Sequence, residues 1–290
     1  MTDWTIEPLH HDFGARVLGA DFSETPDAAM ATRVHALIDE YSFVLFPGQS
    51  FDDDDDRHMA FTQALGQPEP SHLAKGEGRL EYFGTIGNVQ KDGTVLGNDH
   101  RKTKFLTGNN LWHTDASFKP VPAMLSINCA YECPSEGGET LFVSNRAAYG
   151  RLDRAEQARL EPMIGVHDYV FSRSKVSPDA VSPELAATLP PVRQKLVRRN
   201  PANGRKNLYI GSHVREIEGM PGPESRALLD RLVAEATVPD AVYTHKWQPG
   251  DLVIWDNRCL LHCGAGYDAD KHRRYMRQTR VSGVCSSLEE

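Results

Sequence analysis

The spacing of apolar residues predicts a mainly β protein with α insertions, a double-stranded β-helix (jelly-roll) core flanked by helices. Two observations carry the prediction. Short strand-like runs recur at residues 124–131, 140–143, 195–197, 207–210, 241–247, 252–255 and 275–281, separated by glycine- and proline-bearing turns. Many short strands punctuated this way suit a sandwich or barrel more than alternating βαβ units. Among them only residues 146–160 and 224–236 show helical periodicity, the second with Leu228, Leu229, Leu232 and Val233 on one stripe, so the helices read as insertions decorating a barrel. All-β domains with insertions reach 290 residues as one unit, and no internal repeat, low-complexity tract or interdomain linker divides the chain. The expectation is one domain over residues 1–290, with a helical insertion region at about 146–236.

The remaining elements follow in order. Residues 16–22 alternate weakly, residues 28–40 carry apolar side chains at helical spacing, and Ser42-Phe-Val-Leu-Phe suits a buried strand, giving a β-α-β opening. Pro47-Gly48 breaks that strand. The aspartates from Asp52 to Asp56 then precede a helical segment, 58–65, that stops at Gly66. Negative charge is favoured at a helix N-terminus, and the glycine and distal glutamate of a calcium loop are missing there. Residues 68–110 are rich in Gly, Lys, Asp and Asn, with only Tyr82-Phe-Gly-Thr-Ile resembling a strand. A polar loop of that length reads as a lid or substrate loop.

Composition narrows the function classes. A formal charge of -8 offers no overall basic surface to nucleic acid or anionic lipid. No run of about 18 apolar residues is present, and Met1-Thr-Asp-Trp lacks the basic-then-apolar pattern of a secretory signal. Five cysteines, an odd number without the two-residue gap of zinc ribbons, argue against a disulfide framework. These features predict a cytoplasmic protein with neither a nucleic-acid nor a membrane partner.

Chemistry enters at His113-Thr114-Asp115. On a strand, the period of two would place both side chains on one face, where they could share an ion. A third ligand, His262, is offered by the later segment Trp255-Asp-Asn-Arg-Cys-Leu-Leu-His. Two histidines and a carboxylate in facial array leave about three octahedral positions open and point to non-heme Fe(II) that binds a cosubstrate and O2. The same ligands also suit a closed zinc centre in a non-catalytic barrel.

Four longer segments separate these readings: Asn110-Leu-Trp-His-Thr-Asp-Ala-Ser-Phe, Gly137-Gly-Glu-Thr, Asn203-Gly-Arg-Lys-Asn-Leu-Tyr-Ile-Gly-Ser-His and Gly250-Asp-Leu-Val-Ile-Trp-Asp-Asn-Arg-Cys-Leu-Leu-His. In these motifs and their order the chain resembles the taurine/2,4-dichlorophenoxyacetate dioxygenase family of Fe(II)- and 2-oxoglutarate-dependent oxygenases. Its aryloxyalkanoate branch is the nearest match, and the resemblance covers nearly the whole chain. It implies that His113, Asp115 and His262 hold iron and that Thr140 and Arg273 hold the far carboxylate of 2-oxoglutarate, with O2 as second cosubstrate and ascorbate helpful in vitro. It further implies that Arg277, four residues beyond Arg273, grips the anionic end of the substrate. A surface salt bridge is the other reading of Arg277. The loop 85–95 with Asn88 lies where the family builds part of its substrate pocket, while the relatives carry a lysine nearer the position of Thr94. His213 is a pocket candidate or a structural histidine, and His72 and Lys75 lie in the variable loop before. The resemblance implies a homo-oligomer, a dimer or higher.

The expected reaction is hydroxylation of a small anionic substrate with formation of succinate and CO2. An aryloxyalkanoate would then fall apart to a phenol and an oxoacid. The alternatives are an alkylsulfonate such as taurine, or an alkyl sulfate. Asp115 keeps a carboxylate on the metal, which argues against halogenation in this family.

Overall fold

A computed structural model describes residues 3–71, 82–177 and 179–290. His72 and Lys75 fall outside the described residues. The β-α-β opening forms as expected: β2 (Ala15–Leu18) runs parallel to β3 (Phe43–Phe46), with α1 (Ala28–Tyr41) between them. The hairpin strand β1 (Thr5–Pro8) pairs with β2. Asp27 caps α1 by accepting from Met30 N. In α2 (Asp55–Leu65) Asp54 accepts from Asp56 N and Arg57 N, so the acidic run acts as helix cap and first turn.

The core is two facing sheets. Strands β4 (Gly84–Gly87), β5 (Ala123–Glu132), β13 (Leu252–Asp256) and β15 (Tyr275–Ser282) join β1, β2 and β3 in the order β1-β2-β3-β13-β5-β15-β4. Opposite lie β12 (Tyr243–His245), β6 (Thr140–Ser144) and β14 (Leu260–Gly264), in the order β12-β6-β14. Alternation along the strands assigns the faces. In β13, Val253 and Trp255 point between the sheets and meet Phe142 of β6, Leu260 and Met276. Leu252 and Ile254 point the other way, onto α1 and α2 through Val34, Ile38, Phe61 and Leu65. Edge-to-face contacts of Phe142 with Phe43 at 4.7 Å and Trp255 at 5.6 Å hold the sheets together. Each such pair contributes ~0.5–1.5 kcal/mol beyond its burial.

Residues 146–236 are more mixed than expected. Asp153 caps a second helix and splits the expected 146–160 segment into α4 (Asn145–Arg151) and α5 (Arg154–Leu160). The described part of this region also contains β7 (Ile164–His167), α6 (Tyr169–Ser174), α7 (Pro183–Thr188), β8 (Val192–Lys195), β9 (Val197–Arg199), β10 (Lys206–Leu208) and β11 (Val214–Ile217) before α8 (Gly222–Ala236). Of these, α4, α5, β9, β10, β11 and α8 pack with Val143 and Leu261 of the small sheet. The polar stretch before β5 carries α3 (Arg101–Leu106) and a 3-10 turn, Thr107–Asn110, which bring that segment to the open end between the sheets. Among the described residues no helix is long and apolar enough to cross a membrane.

Candidate active site

His113 and Asp115 do not share a strand. His113 forms an isolated two-bond bridge with His262 on β14, His113 N donating to His262 O at 2.9 Å and His262 N to His113 O at 2.8 Å. Asp115 opens a turn that continues through Ala116, whose φ is +53°, and its side chain lies beside the histidines. Asp115 Oδ1 lies 3.8 Å from His113 Nε2 and 3.8 Å from His262 Nε2. These three atoms lie close enough together to hold one ion.

The protonation states suit a metal. Burial holds His262 down at about 3 and lowers His113 as well, so both imidazoles are neutral and have lone pairs to offer. Burial opposes ionisation of Asp115, but the Arg280 charge and the Ser126 hydroxyl favour the carboxylate and hold it below the usual carboxyl range. The His113 Nδ1–H donates to Leu111 O at 2.7 Å, which leaves Nε2 facing the ion.

The triad opens into a cavity whose other walls include Asn98, Asn128, Thr140, Trp255, Tyr267 and Arg274. Thr140 lines this cavity beside the triad. Its oxygen accepts from Trp247 Nε1 at 2.9 Å, so its own proton is free to donate into the cavity. Arg273 does not reach this space. Its side chain is half-exposed and forms a paired salt bridge with Glu132 on the outside. The arginine that faces the cavity is its neighbour, Arg274, which is buried, lacks an acid partner among the described residues and has an unpartnered Nε.

Arg277 is displaced in the same sense. It is buried on the opposite face of β15, bonded to Asp55 at 2.9 Å and to Thr85 Oγ1 at 2.8 Å, with Phe83 under its guanidinium. The residue that looks into the cavity is Gln278. Parity explains both shifts: Arg274, Met276, Gln278 and Arg280 share the inner face, whereas Arg277 and Thr279 meet α2 and Tyr275 meets Asp53 just before it.

Asn88 and His213 stand behind the walls. The Asn88 amide donates to Ala269 O at 2.9 Å and His272 O at 3.0 Å and accepts from Arg274 N at 2.9 Å. It clamps the loop that delivers Arg274. Gly87 assists, because a Cβ there would lie 2.1 Å from Arg274 O and its φ is +118°. His213 is buried beside Phe118, meets the His113 ring edge-on at 6.0 Å and bonds Ser172 through Nδ1.

Arg274, Gln278, Asn128, Ser126 and Asn257 escaped the reading of the sequence. For Arg274 a signal existed, the doublet Arg273-Arg274 before a strand. Its inner member could be chosen only with the register of β15 known.

The chain belongs to the taurine catabolism dioxygenase TauD/TfdA family, whose profile matches residues 5–280. It is 37% identical over 278 residues to the alpha-ketoglutarate-dependent 2,4-dichlorophenoxyacetate dioxygenase of Cupriavidus pinatubonensis, covering 94% of this chain and 96% of that one. It is 35% identical over 288 residues to the (S)-phenoxypropionate/alpha-ketoglutarate dioxygenase of Sphingobium herbicidovorans, covering 96% and 94%. The crystal structure of AAD-2 in complex with Mn(II) and N-oxalylglycine superposes with a TM-score of 0.88 at 35% identity, covering 99% of this chain and all of that one.

The protein is thus a jelly-roll Fe(II)- and 2-oxoglutarate-dependent dioxygenase, an oxidoreductase that uses O2. A closed zinc barrel is not its class. The donor set fits the metal, and an unpaired buried guanidinium on the same cavity fits a dicarboxylate cosubstrate.

Proposed function

We propose that this enzyme hydroxylates the carbon bearing the ether oxygen of an aryloxyalkanoic acid, with His113, Asp115 and His262 as the iron ligands. Thr140 and Arg274, in place of Arg273, bind the far carboxylate of 2-oxoglutarate. The observation that carries this reading is the presence of the triad and the unpaired Arg274 on one cavity wall system. The two curated relatives, acting on a dichlorophenoxyacetate and a phenoxypropionate by their names, support the substrate class. Bound iron, with 2-oxoglutarate and O2, supplies the oxidising power for C–H hydroxylation. The chain's own groups orient the reactants. Arg274 presents paired donors to a carboxylate and stays charged at any working pH, and Thr140 adds a hydroxyl donor. A hydroxylated ether carbon is a hemiacetal, which splits to a phenol and an oxoacid while the cosubstrate leaves as succinate and CO2.

The reading includes one domain, a cytoplasmic setting, supported by five unpaired cysteines, and a homo-oligomer. It also includes a substrate loop within residues 68–110, supported by the contribution of Asn98, Thr103, Leu106, Thr107, Asn109 and Asn110 to the cavity. The test is 2-oxoglutarate consumption with Fe(II) and ascorbate across a panel of small acids. Phenol release from aryloxyacetates or aryloxypropionates is the expected result. Sulfite release from taurine, or turnover of alkyl sulfates, without any response to aryloxy acids would replace it.

A further inference from the structure

The hydrogen bonds around Asp115 have forced directions. Trp255 Nε1 and Asp115 N, which can only donate, both point at Asn257 Oδ1, at 2.9 and 3.2 Å. The other end of that amide, Nδ2, therefore donates to Ser126 Oγ at 2.8 Å. Ser126 in turn directs its proton to Asp115 Oδ2 at 2.6 Å. From the opposite side Arg280, another group that can only donate, bonds Gln278 Oε1 at 3.1 Å. This fixes the orientation of the Gln278 amide, and its Nε2 donates to the same Asp115 Oδ2 at 3.1 Å. Arg280 is itself held by Glu69 Oε1 at 3.2 Å, an acid shared with Lys119.

Two converging chains, each starting from obligate donors, thus occupy Oδ2 and leave Oδ1 alone facing the histidines. We propose that Gln278 is a positioning residue that keeps Asp115 a one-oxygen ligand. A carboxylate free to rotate could offer both oxygens and occupy a coordination position needed by the cosubstrate or by O2. An amide suits this place better than a cation. It donates to Oδ2 without adding positive charge beside an incoming divalent ion, and its oxygen is neutralised by Arg280. The inference rests on the triad as metal ligands and on nothing about the organic substrate.

The test is Gln278→Met, which keeps length and volume but loses both hydrogen bonds. Mn(II) affinity, followed by electron paramagnetic resonance without any organic acid, should weaken roughly tenfold or more, the range typical when a ligand's hydrogen-bond partner is removed. The visible band of the anaerobic Fe(II)·2-oxoglutarate form should move. Melting of the metal-free protein reports folding separately. If the methionine variant fails to fold, Gln278→Asn, whose amide falls one methylene short, is read by the same titration. Unchanged Mn(II) affinity and an unmoved band, with only the KM for the organic acid raised, would make Gln278 a substrate contact and overturn the proposal. Because Mn(II) binding is read without substrate, failure of every aryloxy acid to turn over would sink the functional reading and leave this one standing.

Discussion

On one side of β15, Arg274, Gln278 and Arg280 look into the space between the sheets; on the other, Arg277 and Thr279 lie against α2 and Tyr275 against Asp53 just before it. Arg280 on the inner side is paired with Glu69, but the buried Arg274 of that side and the buried Arg277 of the other have opposite surroundings. Arg277 is saturated by Asp55 and Thr85, whereas Arg274 forms no salt bridge among the described residues and its Nε has no partner. A buried cation with a built-in counter-charge is part of the scaffold. One without such a partner is a binding site held ready.

Substitutions on the two sides should therefore fail differently. Arg274→Ala is expected to have the largest effect, lowering kcat/KM for 2-oxoglutarate roughly a hundredfold or more, about 3 kcal/mol, with melting little changed. Steady-state titration of 2-oxoglutarate beside a melting curve reads both, and a variant with near-native kcat/KM would return the carboxylate role to another group. Arg277→Ala should instead cost stability, about 1–3 kcal/mol in denaturant unfolding, because it takes the buried guanidinium from Asp55 and Thr85 and leaves Asp55 only the more exposed Lys91. The surviving folded fraction should keep its KM for the acid substrate. A selective rise in that KM with unchanged stability would put Arg277 back at the substrate.

Acid should act on the outer side as well. Burial holds His58, which bonds Thr279, and His167 in the insertion region down at about 3. Their folded values lie below the unfolded value, so the unfolded chain binds more protons below about pH 6.5 and stability falls as pH drops from there towards 3. The slope is ~1.4 kcal/mol per pH unit for each histidine. Urea midpoints at pH 7, 6 and 5 measure it, and His58→Gln should flatten the decline; equal slopes in both proteins would show that His58 titrates normally. Arg273→Ala should matter least, leaving the urea midpoint essentially unmoved and kcat within about twofold, since it breaks only a surface pair with Glu132.

Much of this was legible because motifs recur in order along the chain. The His113, Asp115 and His262 cluster and the jelly-roll class rest on residue identity, motif order and strand spacing, which are local properties. Which arginine faces inward is a parity question. Residues 265–274, between β14 and β15, form a loop whose length does not determine the register of the next strand, so counting from His262 landed one residue early at both positions. The paired shift of Arg273 to Arg274 and Arg277 to Gln278 is therefore one error with one cause. His113 sits on an isolated bridge and Asp115 at the start of a turn, an arrangement for which strand periodicity holds no signal. The place of Asn88 in its loop suggests a substrate contact, but its side chain clamps Arg274 instead, through partners about 180 residues away.

The bridge between His113 and His262 has a consequence for metal supply. Two main-chain hydrogen bonds already set the distance between these ligands, so an arriving ion meets a finished socket and little of its binding energy goes into assembling one. A socket finished in advance also discriminates poorly among divalent ions of similar radius, and intrinsic affinity along the first transition series favours copper, nickel and zinc over iron. Occupancy by iron therefore reflects which ions are free around the protein when it folds, and preparations grown with excess zinc should arrive loaded and inert.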